Sequence, residues 1–198
     1  MKNVVIVVDM QRDFVAADGA LPVPGAEEIV APMRDWLAGL RPEETAAVLF
    51  TFDTHVPEIY AVSEEAKEFP PHCVKGAPGW ELVVDPRAVH PDIPCYRLEK
   101  GVFDMWAEPG IGIAPIGGDR WVGRERFFSY LCHDGIEEAV VIGVAADYCV
   151  RWAVEGLIER GFAVTVPEAL TRGIARQIDA VRAQEWDGLA VAIREARR

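Results

Sequence analysis

Five consecutive β-branched residues, Val4-Val5-Ile6-Val7-Val8, run straight into a carboxylate at Asp9. A segment apolar at every position, not at alternate ones, belongs to a strand buried on both faces, as in a parallel sheet covered by helices. The same signature recurs over Ala46 to Phe52 and Ala139 to Val144, and in a shorter form over Phe162 to Val166 after a glycine turn. Between these runs lie helical periods. Val150, Ala153, Val154, Leu157 and Ile158 form one apolar stripe, with Gly161 where a C-cap belongs. Ile29, Met33, Trp36, Leu37 and Leu40 form another, and Pro32 inside it predicts a kink or a late start. Strand-helix alternation of this kind specifies a three-layer α/β/α fold with a mostly parallel central sheet. At 198 residues the chain has the length of one domain, read here as 1–198.

In such a sheet the ligand crevice lies at the carboxyl ends of the strands. Asp9 ends the first strand, Asp53 ends the second, and Cys149 stands just past Val144. Three reactive side chains far apart in sequence are thereby delivered to one edge.

Composition narrows the chemistry. The net charge of -12, from 32 acidic against 20 basic residues, comes with no cluster of Lys and Arg, which argues against a nucleic-acid partner. No apolar run approaches the roughly 18 residues of a membrane span, and Val4 to Val8 is too short for a secretion signal. Cys73, Cys95, Cys132 and Cys149 lack paired spacing, as expected of reduced thiols in a cytoplasmic enzyme. Glu108 to Gly123, rich in Gly and Pro, reads as an irregular excursion.

Gly143-Val144-Ala145-Ala146-Asp147-Tyr148-Cys149-Val150 places a thiol where a strand turns into a helix. Free amides and the positive end of the helix dipole then face the sulfur, an environment that lowers a thiol pKa and can hold an oxyanion. Taken alone, a free cysteine is more commonly a small buried hydrophobe. Asp9 leaves the sheet where a partly desolvated carboxylate could accept a thiol proton, although a strand-end Asp also caps turns. Lys100, in Arg97-Leu98-Glu99-Lys100-Gly101, would stabilise both charges, against the usual fate of a lysine on the solvated surface. Asp53 and His55, two apart, together with His72 form a carboxylate and two imidazoles suited to a divalent ion, whether zinc, iron or manganese. His90 and His133 carry no assigned role.

Together, Val8-Asp9-Met10-Gln11-Arg12-Asp13-Phe14, Asp53-Thr54-His55, Pro70-Pro71-His72-Cys73-Val74, Glu99-Lys100-Gly101 and the segment Gly143 to Val150 resemble the isochorismatase-like cysteine hydrolases. Within these the pattern is most similar to nicotinamidases, also called pyrazinamidases. The resemblance implies that Asp9, Lys100 and Cys149 are a catalytic triad, and that Asp53, His55 and His72 are ligands of one divalent metal ion, zinc foremost. It implies a cis peptide between Val144 and Ala145, an oxyanion hole from the amides of Ala145 and Cys149, and a substrate pocket lined by Phe14, Leu21 and Phe69. The implied activity is deamidation of nicotinamide to nicotinic acid and ammonia through a cysteine thioester. Homo-oligomers are implied by analogy alone.

Three departures widen the choice. Val56 to Ala61 lacks the further histidine that many such proteins carry, leaving Glu58, Glu64 or Glu65 as acidic ligands among which the sequence does not choose. Val102-Phe103-Asp104-Met105-Trp106 replaces the Ser-Ala-Phe-like segment expected after Lys100-Gly101, and Ala146 stands in place of a threonine. A hydrolase of another small amide, ureide or carbamoyl compound is therefore a second reading, and a non-catalytic ligand-binding member of the family a third.

Overall fold

The computed structural model describes residues 2–194. In chain order the elements are β1 (Asn3–Val8), α1 (Arg12–Val15), α2 (Ala26–Ala38), β2 (Thr45–Asp53), α3 (Pro57–Tyr60), β3 (Cys95–Lys100), β4 (Gly112–Pro115) and β5 (Val122–Gly123). They continue with α4 (Arg124–His133), β6 (Glu138–Val144), α5 (Cys149–Glu159), β7 (Ala163–Pro167), β8 (Thr171–Arg172), α6 (Ile178–Glu185) and β9 (Val191–Arg194). The strands form one nine-stranded sheet in the order β5-β4-β3-β2-β1-β6-β7-β9, with β8 paired to the end of β6. All neighbours are parallel except β3-β4 and β4-β5.

Residues 4–8 are wholly buried and divide between the two faces of the sheet. Val4, Ile6 and Val8 join a core with Phe128 of α4, Val150 and Leu157 of α5 and Val181 of α6. Val5 and Val7 join a second core with Phe14 of α1 and Ile29, Met33 and Leu37 of α2. That alternation is the period-two geometry of a strand, and each fully buried Val or Ile contributes about 1.5–3 kcal/mol of hydrophobic stabilisation. Where β1 passes β6, a Cβ on Gly143 would stand 2.1 Å from Val8 O, and Gly143 has a φ of 117°; only glycine permits this approach.

Two local expectations are corrected. The helix carrying Pro32 starts at Ala26 and runs through it, so there is no late start; the proline is on the exposed side. The Gly/Pro-rich stretch 108–123 is not wholly irregular, because Gly112–Pro115 and Val122–Gly123 add two short antiparallel strands at the sheet edge. Strands this short leave no detectable alternation in a sequence. No helix among the described residues is long and apolar enough to cross a membrane.

Candidate active site

The site is assembled by register. Strands β3, β2, β1 and β6 lie side by side and end level with one another: Asp53 is the register partner of Lys100, and Val8, next to Asp9, is the partner of Gly143. Chain ends of neighbouring parallel strands therefore bring Lys100, Asp53, Asp9 and the Cys149 turn together, although they are remote in sequence. Asp9, Asp53 and Lys100 are 0%, 0% and 1% exposed, burial that charged groups survive only when paired.

Lys100 supplies the pairing. Its Nζ lies 2.8 Å from Asp9 Oδ2, 3.2 Å from Asp53 Oδ1 and 3.7 Å from Cys149 Sγ. Burial works against its charge, but Asp53 and then Asp9 outweigh that and hold the ammonium well above the usual lysine range. Thr51 Oγ1 donates to Asp9 Oδ1 at 2.5 Å and accepts the Asp9 N–H at 3.2 Å, which fixes the carboxylate's orientation. Asp9 sits at a φ of 47°, in the left-handed region that Asp tolerates better than most residues. Asp9 Oδ2 takes the Lys100 ion pair and accepts no further hydrogen bond.

The Cys149 thiol contradicts one expectation. Burial pushes its pKa well above the usual value; Lys100 opposes this, while the Asp9 and Asp53 carboxylates add to it. Cys149 is only 4% exposed, and desolvation is the largest cause of the shift. In the turn ahead of α5, the amides of Ala146, Tyr148 and Val150 are used, donating to Arg172 O, Ala145 O and Ala145 O at 2.8, 3.0 and 3.1 Å. Among the described residues, the amides of Ala145 and Cys149 donate to no other group of the chain. The peptide between Val144 and Ala145 is cis.

Next to the triad, Asp53, His55, Glu65 and His72 bring four potential ligand atoms within 4.8 Å of one another. Asp53 Oδ2 is 2.9 Å from His55 Nε2 and 3.0 Å from His72 Nε2; Glu65 Oε1 is 3.3 and 3.2 Å from the same nitrogens. Tetrahedral ligands at about 2.0–2.1 Å from a zinc-like ion stand roughly 3.3–3.4 Å apart, and the four carboxylate–imidazole separations come near that spacing. Glu65 Oε1 is moreover a buried oxygen with no hydrogen-bond partner, as an unfilled coordination position would leave it. The Nδ1 of His72 lies 2.7 Å from Pro70 O; with Nδ1–H donating there, Nε2 turns its lone pair to the cluster. Burial opposes charge on the imidazoles, yet Asp53 and Glu65 outweigh it and push His55 up to about 9 and His72 up to about 10. These four groups could hold a metal ion. Asp53 itself is held well below the carboxylate range, Lys100 and the two histidines overriding its burial.

An aromatic wall stands beside both groups. Phe14 lies 5.2 Å from the His72 ring, and Phe103 stacks on His72 at 6.0 Å and 21°. Phe69 meets Phe103 at 5.3 Å and Tyr148 at 5.8 Å. Leu21 is half-buried against the core that contains Phe14.

Several contributors are absent from the sequence-level assignment. Glu65 is the one of the three acidic candidates that the structure brings into the cluster. Thr51 had a signal, being a polar residue inside a fully buried apolar strand. Gln11 spans the end of β2, its Nε2 donating to Asp53 O and its Oε1 accepting the Asp53 N–H, both at 2.8 Å. Asp13 Oδ2 accepts the Cys73 N–H at 2.7 Å and so holds the segment that carries His72. Phe103 and Tyr148 lie in quoted segments, but nothing in their spacing marks them as facing the site.

The nicotinamidase/pyrazinamidase of Mycobacterium tuberculosis is 28% identical over 191 residues, spanning 95% of this chain and 96% of that protein. The pyrazinamidase of Pyrococcus horikoshii, solved in complex with zinc, superposes with a TM-score of 0.72 at 25% identity, over 98% of this chain and 99% of that one. The L. infantum protein PnC1, solved in complex with nicotinate, gives a TM-score of 0.74 at 26% identity, over 98% and 93%. The isochorismatase domain family model matches residues 3–178, and this chain belongs to the isochorismatase family.

Proposed function

We propose that this chain deamidates nicotinamide to nicotinic acid and ammonia, with Cys149 as nucleophile, Asp9 as general base and Lys100 as the fixed charge between them. The coarser part, a hydrolase acting on a small amide, rests on the family and on the nicotinamidase relatives. The finer part is carried by one observation: a single ammonium within 3.7 Å of a sulfur and within 3.2 Å of two carboxylates, one of which belongs to a cation-seeking cluster.

Asp53, His55, Glu65 and His72 would hold a divalent ion, which when bound supplies a Lewis-acidic anchor for the ring nitrogen of the substrate. The wall of Phe14, Phe69, Phe103 and Tyr148 receives a flat ring and excludes water. Asp9 takes the thiol proton on its carboxylate, and the sulfur attacks the amide carbon to form a C–S bond. The resulting oxyanion is received by the amides of Ala145 and Cys149, each donor of this kind being worth about 3 kcal/mol. Asp9 returns the proton to nitrogen as the C–N bond breaks, releasing ammonia and leaving a thioester. Asp9 then removes a proton from water as it attacks, the C–S bond breaks, and the sulfur recovers its proton. Lys100 offsets the negative charge at each stage without itself transferring a proton.

The aromatic wall favours a planar ring over an aliphatic ureide or carbamoyl compound. Ammonia release from a panel containing nicotinamide, pyrazinamide and aliphatic ureides tests this: nicotinamide turned over with the highest kcat/KM supports the reading, and preference for a ureide overturns it.

A further inference from the structure

Asp147 lies two residues before Cys149, is 4% exposed, and takes no part in the steps above. Its Oδ1 accepts the N–H of Ile174 at 2.9 Å, and its Oδ2 accepts those of Ala175 at 2.8 Å and Arg176 at 3.0 Å. Three successive amides closing on one carboxylate form an anion-holding nest, and such charge-assisted bonds are about twice as strong as neutral ones. Gly173 allows the loop to close this tightly, since a Cβ there would stand 1.9 Å from Arg176 O. The same segment is joined to the nucleophile's turn elsewhere: Thr171 and Arg172 pair with Gly143 and Val144, and Arg172 O accepts the Ala146 N–H at 2.8 Å. Gln177 Oε1 accepts the Gly173 N–H at 3.1 Å from outside. Segment 171–177 is thus a splint along the turn, and Asp147 is the side chain by which the turn grips it.

We infer that Asp147 is a positioning residue: by holding the loop 173–177 in its nest, it fixes the direction in which the amides of Ala145 and Cys149 and the sulfur point. A turn free to rotate would still present a thiol, but its donors would no longer meet at the place where an oxyanion forms. Misplacement of reacting groups by about 1 Å costs on the order of 10²-fold in rate. The inference rests on Cys149 being the nucleophile, as proposed above.

The test compares the full-length wild type with Asp147→Asn, which keeps the shape but turns an N–H donor against the nest, and with the milder Gln177→Ala at an exposed position. Three readouts are taken: kcat and KM for nicotinamide, affinity for pyridine-3-carbaldehyde, which adds to a thiol as a tetrahedral adduct, and affinity for nicotinate, which does not. Expected for Asp147→Asn is a fall in kcat and in aldehyde affinity of about 10²-fold each, with KM and nicotinate affinity within about threefold. Gln177→Ala should show the same split at about threefold, which keeps the test decisive if Asp147→Asn does not fold. Aldehyde and nicotinate affinities weakened alike, or kcat unchanged in both variants, overturns the inference. If the wild type hydrolyses a different amide, only the substrate proposed above falls, and the comparison is made with that amide and its aldehyde. Wild type that forms no aldehyde adduct at Cys149 overturns both.

Discussion

The four-donor cluster and the triad share Asp53, yet they handle buried charge in opposite ways. The triad is paired within the chain, with Lys100 set between Asp9 and Asp53 and the buried Cys149 thiol alongside. The cluster is built differently: two carboxylates face two imidazoles, with Glu65 Oε1 3.2–3.3 Å from both ring nitrogens. One part carries a fixed ammonium, whereas the other offers four donor atoms that could hold a metal ion. Asp53 divides itself between them, Oδ1 towards Lys100 and Oδ2 towards the histidines. Disturbance of the cluster therefore reaches the triad through one carboxylate, while the sulfur can be lost without touching the cluster.

The largest effect expected follows from that asymmetry. Cys149→Ala should lower nicotinamide turnover by about 10⁴-fold or more while leaving zinc binding, measured by titration calorimetry, within a factor of about two. Retained ammonia release, or lost zinc binding, breaks the division between the two parts. Lys100→Met should strike both, because it leaves Asp9 and Asp53 as unpaired buried carboxylates; about 3–5 kcal/mol of folding stability is expected to go, together with activity. Urea unfolding of this variant at neutral pH reads that loss, and a midpoint equal to wild type would mean that the ammonium is not what balances the triad.

Glu65→Gln sharpens the comparison from the other side. It should weaken zinc affinity at least tenfold and lower activity in parallel when the metal is limiting, while the urea midpoint stays near that of wild type. The smallest effect expected is at the surface pair of Arg160 and Glu125, whose Nη2–Oε1 separation is 2.9 Å with Glu125 59% exposed. Glu125→Ala should cost about 1 kcal/mol or less and leave kcat unchanged, since exposed pairs are weak and this one touches neither part of the site.

What the sequence disclosed and what it hid divide along physical lines. The central strands were legible because residues buried on both faces must be apolar throughout, and Val4 to Val8 cannot be read otherwise. Asp9, Asp53 and Cys149 stood out because each follows such a run. Glu65 was hidden: it lies among Glu64, Lys67 and Glu68, and only the single 3-10 turn Glu65–Lys67 directs it inward, a choice no periodicity records. Strands β4 and β5 were hidden by their length and glycines. The depressed pKa expected for the thiol failed for a related reason. A dipole can be inferred from a strand-helix junction, but the depth of burial that outweighs it is a property of the packed molecule.

The strand order has a consequence for synthesis. Strand β1 is made first, but its partner on one side, β6, is not made until some 130 residues later. At roughly 5–20 residues per second, that interval is on the order of ten seconds. Throughout it the nascent chain displays an open edge of β-branched backbone, the kind of surface that other unfinished chains can pair with. Arrival of β6 closes that edge and, in the same event, carries the thiol into place.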